Sequence, residues 1–336
     1  MAGSEPGQRR PGMMDVARLA GVSHQTVSRV LNAPGSVRPA TRERVRAAIA
    51  RLGYRRNMAA RALATDSTRT IGVITAGSRY FGPASAAAAI EAAARREGYA
   101  TVVAALTRGS GDEVAEALDF LVGRGVDGMI AVAPRAHIAT AVERAARAVP
   151  LVVVADGFPA GGRIHVVSID QELGARMAVG HLLGGGCRSV AHVCGPPDWF
   201  DAAARIRGWR AAVEDAGAPS GDLLEGDWTP ERGYAAGAEL VARGLPDGVF
   251  CSNDLMALGV LAALRDRGVR VPAGVAVAGY DDVAGAAFFS PPLTTVRQPF
   301  DELGRLCMEV LLKAIGGAEG AAHSIAPTLQ VRRSSE

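Results

Sequence analysis

From Thr70 onward the chain repeats one pattern, a short unbroken apolar run followed by an Ala-rich stretch of helical periodicity. The runs are IGVIT (71–75), TVVAA (101–105), GMIAVA (128–133) and LVVVAD (151–156). A second set follows: VVSID (166–170), SVAHVCG (189–195), GVFCSND (248–254) and VAVAGYD (275–281). Runs without alternation belong to strands buried on both faces, which requires parallel sheets covered by helices on either side. Two sets predict a bilobed α/β body of two doubly wound parallel sheets. One lobe spans about 70–165 with 299–325, the other about 166–298 with 326–336. Ligands in this architecture bind outside the carboxyl ends of strands. That rule selects Asp156, Asn253, Asp254, Asp281 and Asp282, acceptors and donors suited to a hydroxyl-rich ligand in a concave site. SND ahead of a helix is equally good as an N-cap, and YDD as a turn, so both readings stand.

The 336 residues exceed one ordinary core, and 49% hydrophobic residues suffice for two or three. Charge divides them further. Residues 1–65 hold 12 arginines against three acids, a surplus of +9, while the remainder holds 25 basic and 31 acidic groups, or −6. A basic head on a mildly acidic body points to a polyanion-binding domain joined to something else. No apolar run approaches the ~20 residues needed to span a bilayer, and the N-terminal MAGSEPGQRRPG lacks the apolar core of a signal peptide. A cytoplasmic protein is expected, with no membrane partner and residues 1–12 as a disordered tail. Cys187, Cys194, Cys251 and Cys307 are far apart with no CxxC pair, which reads as structural burial.

Within the head, residues 13–56 divide into three helices. Val16, Ala17, Leu19 and Ala20 mark the first, which Gly21-Val22 breaks. Ser23 suits the N-cap of a second, with Val27, Val30 and Leu31 on its buried side. Pro39 suits the first turn of a third, Val45, Ala48, Ile49 and Leu52 form its stripe, and Gly53 its end. Two short helices joined by a Gly turn form a helix-turn-helix, whose second helix enters the DNA major groove. Its exposed residues are then His24, Gln25, Thr26 and Arg29. Gln matches adenine, Arg matches guanine, and Thr suits a phosphate or a thymine methyl.

The run DVARLAGVSHQTVSRVLN…TRERVRAAIARLGYRRNMAARAL resembles the DNA-binding head of the lactose-repressor (LacI/GalR) family, with DVA, AGVS and QTVSRVLN in register. The resemblance implies that His24, Gln25 and Arg29 read base edges behind the capping Ser23. Gly12 stands where relatives have Thr or Ser, and Arg56 where they have Pro. It also implies a hinge and linker over 57–69. There Asn57, Ala60 and Leu63 would meet the minor groove, with Leu63 as a wedge and the hinges of two subunits folding together. Eight residues alone are too few for a stable helix in water.

Over the remaining chain the resemblance implies a periplasmic-binding-protein-like body. AARIRGW supplies Arg205, SNDLMALGV supplies Asn253, GYDD supplies Asp281 and PPLTTVRQPF supplies Gln298, all as effector contacts; Asp156 is a further one. EGDWT places Trp228 against a sugar face, as in the lactose-responsive branch, and Trp199 in GPPDWFDAAAR joins the same cleft. The function implied is a homodimeric repressor bound to a pseudo-palindromic operator and released by a small sugar, galactosides first. A purine-like corepressor or an activating role is the alternative within the family. A secreted solute-binding protein would lack the basic head. No G-x-S-x-G, H-E-x-x-H, Walker motif or post-strand G-x-G-x-x-G supports an enzyme or a dinucleotide cofactor; no cofactor and no metal are expected.

Overall fold

The computed structural model describes residues 11–55, 62, 67–76, 80–107, 110–132, 135 and 139–336. Asn57, Ala60 and Leu63, and the first ten residues of the expected tail, lie outside these. The chain divides into two compact units, Met1–Thr68 and Arg69–Glu336.

The first unit is built on α1 (Met13–Ala20), α2 (His24–Asn32) and α3 (Pro39–Leu52). Gly12 has no side chain to cap α1, and Asp15 serves instead, its Oδ2 accepting the Gly12 N–H at 2.8 Å. Gly21 ends the helix at φ 63°, in the left-handed region that glycine enters at no steric cost. The next helix starts at once, because Ser23 Oγ accepts the Thr26 N–H at 3.2 Å. The core is small: Val16, Val27 and Val45 are fully enclosed, with Ala17, Ala20, Val30 and Ala48 around them. Leu19, expected in the stripe of α1, is instead 37% exposed. The buried face of this eight-residue helix carries Val16, Ala17 and Ala20 and is too narrow to include it.

The second unit contains two six-stranded sheets. The first is made of β1 (Thr70–Thr75), β2 (Ala100–Ala105), β3 (Gly128–Val132), β4 (Leu151–Val154), β5 (Ile164–Ile169) and β11 (Ala322–Ile325), in the order β11-β5-β4-β3-β1-β2, all parallel. Helices α4 (Phe81–Arg96) and α11 (Phe300–Ile315) cover one face, and α5 (Gly111–Gly123) and α6 (Ala139–Ala148) supply the core of the other. The second sheet is made of β6 (Val190–Cys194), β7 (Ser220–Glu225), β8 (Gly248–Cys251), β9 (Ala276–Asp281), β10 (Thr294–Arg297) and β12 (Thr328–Gln330), in the order β12-β10-β9-β8-β6-β7. Only β12 runs antiparallel, against β10. Helices α7 (Gln171–Gly184) and α8 (Phe200–Asp215) cover one face, α9 (Pro230–Arg243) and α10 (Asp254–Asp266) the other.

One expectation about the lobes is corrected. VVSID was assigned to the second lobe, but β5 pairs with β4 and β11 in the first sheet, so the first crossing lies after Ile169. A buried apolar strand carries no mark of which neighbour it pairs with. The chain crosses back before α11 and again between β11 and β12. Cys194, Cys251 and Cys307 are buried, Cys187 is half-buried, and all are free thiols. Among the described residues, no helix is long and apolar enough to cross a membrane.

Candidate functional site

In the head, the start of α2 presents His24, Gln25 and Arg29 to solvent. Ser23 and Thr26 are differently placed. Their hydroxyls lie 2.9 Å apart, and Ser23 also caps the helix, so both serve the turn that aims the helix. Thr26 is half-buried. Among the described residues, these three polar side chains remain uncommitted on one short helix, the arrangement a major-groove reader needs.

In the body, loops after the strands of both sheets converge on one cavity, with about 720 Å³ of empty space including its mouth. Asp156, Trp199, Arg205, Trp228, Asn253, Asp281 and Gln298 all line it. These positions span 142 residues of sequence between Asp156 and Gln298, yet the parallel topology places each near the carboxyl end of a strand or within the first two turns of the following helix.

The floor of the cavity is a continuous hydrogen-bond chain. Arg205 directs Nε and Nη2 to Gln171 Oε1 at 3.0 and 2.8 Å, and Nη1 to the Ser252 carbonyl. Gln171 Nε2 donates to Gln298 Oε1 at 3.0 Å, and Gln298 Nε2 donates to Asp281 Oδ1 at 2.7 Å. The Arg205 guanidinium also lies over the Tyr280 ring, 3.8 Å from its centroid. Each member is held by the next, so the chain fixes side chains that would otherwise have rotamer freedom. Gln171 begins α7, just after β5, at a strand end that the sequence reading did not single out. Its neighbour Asp170 takes the duller role of capping α7, accepting the Leu173 N–H at 2.8 Å.

Asn253 carries both roles that the sequence left open. It lines the cavity, but its Oδ1 caps α10 by accepting the Met256 N–H at 2.8 Å, and its Nδ2 donates to the Trp228 carbonyl at 3.0 Å. It positions Trp228, whose backbone sits at φ 75°. A non-glycine residue there costs about 1–3 kcal/mol and persists only where its surroundings fix it. Gly195 completes the seat, since a Cβ at that position would overlap the Trp228 ring. Asp281, at φ 111°, shares this strained backbone. Asp254 and Asp282 leave the ligand list. Asp254 is fully buried on Thr295 Oγ1 (2.6 Å) and the Val283 N–H (2.9 Å), and Asp282 pairs with Arg297 and Arg332, each at 2.7 Å.

An aromatic wall closes the cavity. Trp199 and Trp228 meet edge to face at 5.7 Å, and Tyr80 meets Trp199 in the same way at 5.2 Å. Among the described residues, neither buried indole Nε1–H has an acceptor. Tyr80 stands just before α4 of the first lobe, and both tryptophans are on the second, so the wall spans the lobes. Asp201 adds a carboxylate that the sequence reading missed, accepting the Asp156 N–H at 3.1 Å. An Asp one position into a helix looks like an ordinary first-turn acid.

Burial governs the electrostatics. Desolvation pushes the Asp281 carboxyl up to about 6, outweighing Arg205 and the Gln298 hydrogen bond. Burial raises Asp156 and Asp201 as well. Behind them Asp254 is pushed up to about 8, by burial first and by the charge of Asp281 second. Among the described residues, no group of three or more His, Cys, Asp or Glu side chains could hold a metal ion.

Comparison with known proteins agrees with both halves of this geometry. Residues 12–57 match the model of bacterial regulatory proteins of the lacI family, and residues 179–335 match that of a periplasmic binding protein-like domain. The chain is 35% identical over 325 residues to the ribose operon repressor of Escherichia coli K12, covering 96% of this chain and 95% of that one. It is 34% identical over 325 residues to the lactose operon repressor of the same strain, covering 96% and 89%. The crystal structure of the lac repressor dimer bound to operator and the anti-inducer ONPF superposes with a TM-score of 0.87 at 32% identity, over 97% of this chain and 99% of that one. A helix-turn-helix head and a two-sheet body, matched together over almost the whole length, place this chain in the lacI family of bacterial regulatory proteins.

Proposed function

We propose that this protein is a transcriptional repressor that leaves its operator when a small sugar occupies the interlobe cavity. The observation that carries the reading is the cavity itself. A pre-formed polar floor faces an aromatic wall whose indole N–H groups need acceptors, and sugars provide hydroxyls for the first and oxygen atoms for the second. The likeness to the ribose and lactose operon repressors supports the same class.

A homodimer formed through the body would set two α2 helices in successive major grooves, about 34–36 Å apart on a pseudo-palindrome. His24, Gln25 and Arg29 would read bases, while segment 57–64, with Leu63 as the wedge, would enter the minor groove between the half-sites. Tyr80 lies on one lobe and Trp199 and Trp228 on the other, so a ligand between them changes the lobe–lobe contact. That change would separate the paired hinges. By linkage, operator must weaken sugar binding by the same factor, typically about 1–3 kcal/mol.

The test is a thermal-shift series on the full-length protein with D-ribose, D-galactose, lactose and cellobiose, and hypoxanthine for the purine alternative. A ligand at a hundred times its Kd adds about 2.7 kcal/mol, which moves the midpoint by several degrees. A shift with a sugar that disappears in Arg205→Ala supports the reading. A shift with hypoxanthine alone replaces it by corepression.

A further inference from the structure

Two aromatic side chains, adjacent in sequence where α8 begins, turn to different lobes. Trp199, immediately before the helix, belongs to the apolar core of the second sheet together with Trp228, and it lines the cavity. Phe200, which opens the helix, packs instead against the core of the first sheet, in the cluster that holds Leu121, Ala155 and Phe158. The Phe158 ring, 5% exposed and following β4, meets the Phe200 ring edge to face at 5.5 Å. A helix of 3.6 residues per turn sets successive side chains about 100° apart, so two neighbours can face two cores.

Polar contacts pin the same segment to the first lobe. Asp198 pairs with Arg135 at 3.5 Å, Arg135 and Trp199 form an isolated antiparallel bridge, and Asp201 Oδ1 accepts the Asp156 N–H. Arg135 and Asp156 follow β3 and β4. The side chains of Arg135 and Asp198 are 25% and 44% exposed, so solvent weakens that pair. Tyr80 makes the reverse apolar contact, from the first lobe into the core of the second, but it lines the cavity. Neither Phe158 nor Phe200 lines it. This pair therefore joins the lobes without touching the ligand space.

Resting on the cavity's being the effector site, we infer that the Phe200–Phe158 pair is the joint that passes its occupancy to the first lobe. Trp199 meets the ligand, since its indole N–H is buried with no acceptor among the described residues. A ligand oxygen that engages it displaces the start of α8. Phe200, one residue on, carries that displacement into the first-lobe core, which is close-packed and moves as a unit. The first lobe begins at β1, directly after the linker from the head. Phe200 is thus a positioning residue for the response and not a ligand contact.

The test uses the full-length protein and whichever of D-ribose, D-galactose, lactose, cellobiose or hypoxanthine raises the wild-type melting midpoint. In Phe200→Ala that ligand binds within about three-fold of its wild-type Kd by isothermal titration. Its effect on affinity for a duplex selected from a random pool, read by fluorescence anisotropy, shrinks from about five-fold to less than about two-fold. Phe158→Leu, on the other side of the contact, shrinks it likewise, and the double variant loses no more than the larger single loss. Circular-dichroism melting verifies folding, and Phe200→Leu replaces Phe200→Ala if the latter lowers the midpoint by several degrees. A full wild-type response in the folded variant overturns the inference and leaves the effector reading intact. Loss of ligand binding in it overturns the inference too, because it would make Phe200 part of the binding site. If none of the five compounds binds, the sugar and purine readings fail, and duplex affinity without ligand decides, since the joint sets the lobe arrangement in either case. A change of about five-fold or more in Phe200→Ala then supports the joint, and a value equal to wild type overturns it.

Discussion

The head and the body place polar side chains in opposite ways. In the head, His24, Gln25 and Arg29 lie within one helix, exposed, and make no contribution to a core that consists of seven small apolar residues. In the body, Arg205, Gln171, Gln298 and Asp281 are buried and bonded to one another although they lie far apart in sequence. The difference shows where recognition and stability separate. Head substitutions divide into those that affect DNA and those that affect folding, whereas a cavity substitution in the body affects ligand and folding together.

The largest expected effect is on the head core. Val27 is fully buried, and Val27→Asp places an unpaired charge where each valine contributes about 1.5–3 kcal/mol by burial. Duplex binding should be abolished while tryptophan fluorescence melting stays unchanged. All three tryptophans, Trp199, Trp209 and Trp228, are in the body and report on it alone. A lowered body midpoint would mean that the two units are not energetically separate. Next comes Arg205→Ala, which leaves Gln171 Oε1 and the Ser252 carbonyl without donors. Hydrogen bonds from a charged group contribute about 1.5–3 kcal/mol, so the body midpoint should drop by several degrees and sugar binding should be lost. Retained stability would show that the floor network is not structural.

Arg29→Ala should weaken specific duplex binding by about 1–3 kcal/mol with no change in either unit's melting; a loss of head stability would contradict its placement as a free reading group. A pH series makes the smallest change and still distinguishes the units. Asp281 and Asp254 have folded pKa values of about 6 and about 8, above the ordinary carboxylate value. The native body therefore holds protons that the unfolded chain has released. Stability from these groups is fully present below about pH 4 and is lost as pH rises through about 6 and then about 8. The ligand-free body should melt higher at pH 5.5 than at pH 8, and Asp281→Asn should reduce the slope.

How much the sequence disclosed follows the same division. In the head, the reading residues, cap and breaking glycines are adjacent in sequence, so three helices were readable with their ends; Leu19 and Thr26 were misplaced, because in a short helix a small rotation decides exposure. In the body, eight strands could be read as apolar runs, but β7, β10, β11 and β12 could not. β7 buries only Leu224, β10 is the four-residue TTVR, and β11 and β12 are short edges. Seven of the nine residues that the sequence pointed to line the cavity, since strand ends converge in this topology, while Asp254 and Asp282, also at strand ends, do not. Gln171 and Asp201 escaped because an amide after a capping Asp and an acid in a first turn look like ordinary helix starts. Their role arises from what the other lobe brings against them, and no local pattern records that.

The central claim is that the cavity of the body controls the grip of the head on DNA. It is tested most directly by fluorescence anisotropy on a duplex selected from a random pool by the full-length protein, titrated with and without the sugar that stabilises the body. Operator affinity falls by about five-fold or more at saturating sugar, in keeping with about 1 kcal/mol of coupling or greater, and Arg205→Ala abolishes the change. Equal affinity with and without a sugar that demonstrably occupies the cavity would contradict the claim.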